Sequence, residues 1–239
     1  LLKAWGLEKA EIVCPAYTCV VVPHAIALSG NVPVFVDCGE NEYTMSLAGI
    51  KKAITQRTRA VIVTHLFGYP MNVDAVREIV AEAEKKYNNK IYIIQDVAHS
   101  FGCTWNGEMV TQFGDAALFG LNISKMINSI FGGMIITNNT ETYHALMKYR
   151  DMEFIQRGWK KGLRRLLYMV AVYCAFNTSI YGFVNWLERI GSLNTFVKYY
   201  DESIIDFPKD WNDMPAEIEA RVGLVQLKKY DEIVRERIA

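Results

Sequence analysis

Three side chains have the types and spacing to do chemistry together: Asp96, His99 and Lys125. The run Ile91-Tyr92-Ile93-Ile94-Gln95-Asp96 has the pattern of a buried strand, and it delivers a carboxylate, then an imidazole, at its carboxyl end. Open α/β sheets build ligand sites in the crevice beyond their strand ends. Lys125, beside the Gly132-Gly133 pair, carries an amine able to bond covalently to a carbonyl carbon, so the set reads as a covalent cofactor site. Taken singly each has a plainer reading: a solvated lysine, a helix-capping aspartate, a hydrogen-bonded structural histidine. His24, His65 and His144 show no metal-ligand spacing and are read as structural.

The elements that must position these residues follow from periodicity. Residues 11–14, 32–38, 59–66, 90–96, 116–122 and 133–137 read as strands, most of them apolar runs closed by Pro, Gly or Asp. Between them, residues 18–29 and 47–54 read as helices, the second capped by Ser46. Residues 72–88 place Val73, Val76, Ile79, Val80 and Ala83 at helical spacing, with Asn72 as cap and Asp74 in the first turn. Strand, helix, strand at this spacing is a βαβ unit, so the expected fold class is α/β: a mostly parallel sheet, of a seven-strand type, flanked by helices. Asn106-Gly107 marks a tight hairpin within 103–110. Residues 141–152 and 216–238 read as helices and residues 199–211 as irregular. Periodicity gives an α/β domain over 1–152, an apolar helical insertion over 153–211 and a helix over 212–239.

Composition narrows the function classes. The 239 residues balance 26 basic against 26 acidic side chains, so no whole-surface affinity for nucleic acid is expected. Five scattered cysteines without C-x-x-C spacing argue against a disulfide framework or a zinc site and favour a reducing, cytoplasmic setting. The chain starts at Leu1 and stops within a helical pattern, and is expected to be part of a longer polypeptide.

Residues 166–187 carry no charge, and Lys160, Lys161, Arg164 and Arg165 precede them. Roughly 20 apolar residues suffice for a membrane span, but Asn177-Thr178-Ser179, Gly182 and Asn185 divide the run into two short helices around a polar turn. Two readings stand: an interfacial hairpin against anionic lipid, giving peripheral membrane contact, or a helical pair packed on the domain or a subunit partner.

Pro15-Ala16-Tyr17-Thr18, Pro33-Val34-Phe35-Val36-Asp37, His65-Leu66-Phe67-Gly68, Asp96-Val97-Ala98-His99, Lys125 with Gly132-Gly133, and Glu217-Ile218-Glu219-Ala220 with Gly223-Leu224-Val225-Gln226-Leu227 follow one another in order. In this the chain resembles the DegT/StrS-type nucleotide-sugar aminotransferases, enzymes of the aspartate-aminotransferase fold that use pyridoxal 5'-phosphate. The resemblance implies conversion of a nucleotide-linked keto sugar to an amino sugar, with an amino acid, by analogy glutamate, as donor. It implies that Lys125 forms the internal Schiff base and moves the proton, and that Asp96 keeps the pyridine nitrogen protonated. His99 falls where the family contacts the ring's phenolic oxygen. Asn212 falls where the family reaches the cofactor phosphate of a neighbouring subunit, which implies a homodimer. The resemblance also implies that the domain over 1–152 binds the cofactor and that the helix over 212–239 leads toward a further small domain.

The chain departs from the pattern at cofactor-binding positions. Gly120 stands where the family places a phosphate-binding Ser, Cys19 where an aromatic stacks on the ring, and Met214 where Arg is common. The Gly-Thr-Ala phosphate segment is expected upstream of Leu1. A sugar dehydratase on the same scaffold replaces the Schiff-base lysine, which Lys125 disfavours. A catalytically weak relative acting as a binding or membrane-associated partner is the rival that Gly120, Cys19 and the uncharged segment motivate.

Overall fold

The computed structural model describes residues 1–191, 203–208 and 210–238. Eight strands form among them: β1 (Glu11–Pro15), β2 (Val32–Val36), β3 (Thr58–Thr64), β4 (Tyr92–Asp96), β5 (Thr104–Trp105), β6 (Glu108–Met109), β7 (Ala116–Gly120) and β8 (Gly133–Ile136). The helices are α1 (Val21–Leu28), α2 (Leu47–Ala53), α3 (Val73–Tyr87), α4 (Thr140–Glu153), α5 (Trp159–Ala175), α6 (Thr178–Arg189), α7 (Glu217–Lys228) and α8 (Tyr230–Ile238). Six strands make one sheet in the order β2-β1-β3-β4-β7-β8. Every neighbouring pair is parallel except β7 and β8. The expected mostly parallel sheet is therefore present, with six strands among the described residues. Part of the stretch read as irregular, 199–202 and 209, lies outside them.

The period-two alternation of the strands sorts their side chains onto two covered faces. Val13, Val61, Val63 and Ile93 meet Ile50 of α2 and Val76 and Val80 of α3 on one side. Ile12, Cys14, Ala60, Ile62 and Ile94 meet Ile26 of α1 and the N-terminal Leu1, Leu2 and Trp5 on the other. Each fully buried Ile or Val contributes roughly 1.5–3 kcal/mol, so a charge at Ile12, Ile62 or Ile94 would cost more stability than any surface change. Pro33 is tolerated because β2 is an edge strand with a free N–H side. Burial also pushes the Cys14 thiol up to about 12, which makes it an inert core side chain.

Caps explain most boundaries. The Ser46 Oγ accepts from Gly49 N at 3.3 Å and the Asn72 Oδ1 from Ala75 N at 3.0 Å, as the sequence predicts. Asn88 ends α3 in the left-handed region. Asn106 and Gly107 both have positive φ, which is the tight β5-β6 turn. Two expectations change. The helix expected over 18–29 starts only at Val21, and the helix expected over 216–238 breaks at Lys229 into α7 and α8. The break lets Tyr230 turn inward, where its ring lies 5.4 Å from Phe101.

Candidate active site

Because β1, β3, β4 and β7 run parallel, their carboxyl ends share one edge, and the chain emerging there carries Cys19, His65, Asp96 with His99, and Gly120 with Lys125. The direction of the β1 connections reverses here, with β2 on one flank and β3 on the other, which is where α/β sheets open a crevice.

Asp96 anchors the site. Thr64 and Asp96 are register partners on β3 and β4 and so project to the same face. The Thr64 hydroxyl donates to Asp96 Oδ2 at 3.3 Å, and the Ala98 backbone N–H donates to Asp96 Oδ1 at 3.0 Å. The aspartate is 6% exposed. Among the described residues no side-chain cation lies within 4.0 Å of it, so this buried carboxylate has hydrogen bonds but no counter-ion.

His99 and Lys125 meet beside it. Burial, then the Lys125 ammonium, hold the His99 imidazole below its ordinary 6.5, against the pull of Asp96. The Phe67 ring stands edge-on to His99, with centroids 6.2 Å apart. A methyl built on Gly120 would sit 3.1 Å from Ala98 Cβ and 3.5 Å from Lys125 Cε. Gly120 thus leaves room for the lysine stem to run alongside the Asp96-His99 turn. Among the described residues Lys125 makes no ion pair.

The loop carrying Lys125 is held in a strained shape. It closes through Leu121 N–H to Gly132 O at 3.0 Å and Ser129 N–H to Leu121 O at 2.8 Å. Within it Ile130, a β-branched residue 1% exposed, has φ 69°, and Gly132 has φ 115°. Such backbone costs on the order of 1–3 kcal/mol and persists only where surroundings enforce it. Here α7 enforces it through Gln226, which accepts from Asn128 Nδ2 at 3.4 Å. From α5, the Arg165 guanidinium lies 4.3 Å from the Phe131 ring centre, and the Tyr168 ring centre lies 4.9 Å from it. Lys125 also lines a cavity of about 490 Å³ with Asn128, Gln226, Lys229, Glu232 and Arg237. Asp96 and His99 do not line it.

Two further expected site residues, Cys19 and Asn212, have hydrogen bonds to neighbours other than Asp96, His99 and Lys125. Cys19 is exposed just ahead of α1, and its carbonyl accepts from Val22 N–H. Asn212 is fixed by its own chain: its Nδ2 donates to Glu153 O at 3.0 Å, and its carbonyl accepts from Ile155 N–H at 2.8 Å. His65 is structural as read, since its Nδ1 accepts from Met71 N–H at 3.1 Å and its Nε2 pairs with Gln95 Oε1 at 2.8 Å. Sequence reasoning missed Thr64 and the Ala98 amide. Thr64 stands at the end of β3, level with Asp96, a signal available once parallel pairing is assumed.

Residues 1–179 match the model of the DegT/DnrJ/EryC1/StrS aminotransferase family. The chain is 29% identical over 150 residues to a GDP-perosamine synthase of Escherichia coli O157:H7, covering 62% of this chain and 40% of that protein. It is 35% identical over 142 residues to a UDP-N-acetyl-3-dehydro-alpha-D-glucosamine 3-aminotransferase of Acidithiobacillus ferrooxidans, covering 59% and 37%. The fold is that of the sugar aminotransferase CalS13 from Micromonospora echinospora, at TM-score 0.68 and 20% identity, over 97% of this chain and 52% of that one. The chain spans about two fifths of the length of those two curated relatives. With three quarters of its length matched, it belongs to the DegT/DnrJ/EryC1/StrS aminotransferase family.

Proposed function

We propose that the protein containing this chain is a pyridoxal-phosphate-dependent aminotransferase that converts a nucleotide-linked keto sugar to an amino sugar, with an amino acid, by family analogy glutamate, as donor. The observation that carries this is Asp96: a buried carboxylate, positioned by Thr64 and Ala98 and without an ion-pair partner among the described residues. Burying an uncompensated charge is costly, and a protonated ring nitrogen is the partner whose charge would offset it. When bound, the pyridoxal ring supplies an electron sink for chemistry at the donor's α-carbon.

The chain's own residues do the rest. Asp96 would hold the ring nitrogen and keep it protonated. Lys125 would hold the cofactor through its amine, and the free amine would carry the proton during transfer. His99, whose imidazole burial and then Lys125 hold below its ordinary value, would offer a hydrogen bond at the ring oxygen. Gly120 contributes space but no hydroxyl, and Cys19 offers a smaller stacking surface than an aromatic, so cofactor affinity is expected to be modest. The relatives named as a perosamine synthase and a 3-aminotransferase support a sugar substrate. The cavity beside Lys125 is large enough for part of one.

The proposal extends to the assembly: a cytoplasmic homodimer in which a second copy lends Asn212 to the site, with a peripheral membrane contact through residues 166–187. Cofactor titration with borohydride reduction, followed by mass analysis of the peptide carrying Lys125, tests the catalytic reading. Covalent cofactor on Lys125, lost in Lys125→Ala along with turnover, is expected. A protein that takes up no cofactor would overturn it.

A further inference from the structure

We infer that the α5–α6 hairpin is an anchor for an anionic bilayer surface, with Lys160 and Arg164 as its headgroup contacts and an outward apolar stripe as its inserted face. This deepens the peripheral contact proposed for this protein and rests on it. The helix α5 is turned inside out relative to an ordinary surface helix. Its charges at 161 and 165 point inward: Lys161 Nζ donates to Met214 O at 2.6 Å, and Arg165 pairs with Asp210 at 3.2 Å and Glu219 at 3.1 Å. Arg157 adds a pair with Asp213 at 2.8 Å. These contacts staple the root of the hairpin to residues 210–219 and, through Arg165 and Phe131, to the Lys125 loop.

The opposite face of α5 carries Trp159, Leu163, Leu166, Leu167, Val170 and Tyr173, at spacings that make one helical stripe, and all are exposed. Trp159, Tyr173 and Phe176 are 74%, 82% and 73% exposed. In α6, Phe183, Trp186 and the following Ile190 form a second exposed stripe. The helices meet at 106°, and no single helix among the described residues is long and apolar enough to cross a membrane. A bent aromatic-rich pair of this kind suits the headgroup boundary, where Trp and Tyr concentrate.

Charge selects the occupant. Lys160 and Arg164 border the α5 stripe one turn apart, both exposed and without an ion pair among the described residues, and α5 contains no carboxylate. A stripe edged only by cations is complementary to anionic headgroups; a second copy of the same surface would bring like charges to the rim.

The test is cosedimentation of the full chain, loaded with cofactor where it binds, on phosphatidylcholine vesicles with and without phosphatidylglycerol. Binding that needs phosphatidylglycerol, weakens with salt and shifts tryptophan emission to the blue is expected. The variant K160Q/R164Q should lower partitioning roughly 25-fold, about fivefold for each cation removed. F176S/F183S should abolish it while circular dichroism and cofactor absorbance stay unchanged. No binding to either vesicle, or binding that K160Q/R164Q leaves intact, overturns the inference. So does a hairpin-dependent dimer, seen by sedimentation equilibrium, that excludes vesicles. Cofactor absorbance is read in the same samples, so failure of the anchor and failure of the catalytic reading are separable.

Discussion

Asp96→Asn separates a cofactor role from a structural one, because the two roles predict different magnitudes. The substitution keeps the shape of the side chain. The amide oxygen can still accept the Ala98 N–H at the 3.0 Å position, and the amide nitrogen can donate to the Thr64 hydroxyl at the 3.3 Å position. Only the charge-assisted part of two hydrogen bonds is lost, on the order of 1 kcal/mol in all. Against this stands relief from a buried charge that has no counter-ion among the described residues, which acts in the opposite direction. Stability of the cofactor-free protein is therefore expected to change by no more than about 1 kcal/mol. Cofactor binding should respond differently, since removing one partner of a buried ion pair costs about 3–5 kcal/mol, a loss of roughly two to four orders of magnitude in affinity. Thermal unfolding of the free protein and cofactor titration by absorbance measure both effects. An Asp96→Asn protein that binds cofactor within a few-fold of the parent would refute the assignment of Asp96 to the ring nitrogen. One that unfolds would show that the carboxylate serves the fold instead.

Acidification should destabilise the fold through His65. Burial, against the pull of Gln95 and Asp96, holds its imidazole below the ordinary 6.5. The unfolded chain thus takes up the proton first, and stability falls as pH drops through about 6.5. His65→Gln should flatten that slope in pH-dependent urea melts, and an unchanged slope would reject His65 as its source. Gly102→Ala should destabilise by at least about 1 kcal/mol, because Gly102 has φ 76° and the added methyl would run into Tyr230 Oη. Adding Tyr230→Ala should make the Gly102→Ala penalty smaller than in the parent background, and strict additivity would show that the two do not touch. Gly120→Ser should tighten cofactor binding about tenfold or more by adding a hydroxyl donor to a charged group. It should also lower the melting temperature, because its Cβ would press Ala98 at 3.1 Å; unchanged affinity would show that position 120 does not face the phosphate.

How far the sequence reveals the site depends on the range of the interaction concerned. The strands and the caps at Ser46 and Asn72 are local, set by alternation and by hydroxyl or amide side chains next to the backbone they satisfy, and they were legible. The contribution of Thr64 was not, because it depends on the β3-β4 register, a pairing between residues far apart in sequence. The strain at Ile130 was equally hidden, since a β-branched residue gives no warning of positive φ. Its cause lies in Gln226 and Arg165, on helices that follow much later.

The basic cluster before residues 166–187 shows the limit most clearly. In sequence, Lys160, Lys161, Arg164 and Arg165 are one flank of an uncharged run. In the fold the helical period divides them into two pairs about 100° apart. Lys161 and Arg165 turn inward to Asp213, Asp210 and Glu219, and burial pulls the Lys161 ammonium below its ordinary value despite those acids. Only Lys160 and Arg164 remain on the surface. A charge count would therefore assign four cations to a lipid surface where two are available. Lys161→Gln and Arg165→Gln are expected to act on fold stability and on the Lys125 loop, whereas Lys160→Gln and Arg164→Gln act on vesicle binding alone. Urea melts and vesicle partitioning of the four single variants check this division, and a Lys161→Gln protein with parental stability but weakened partitioning would reverse it.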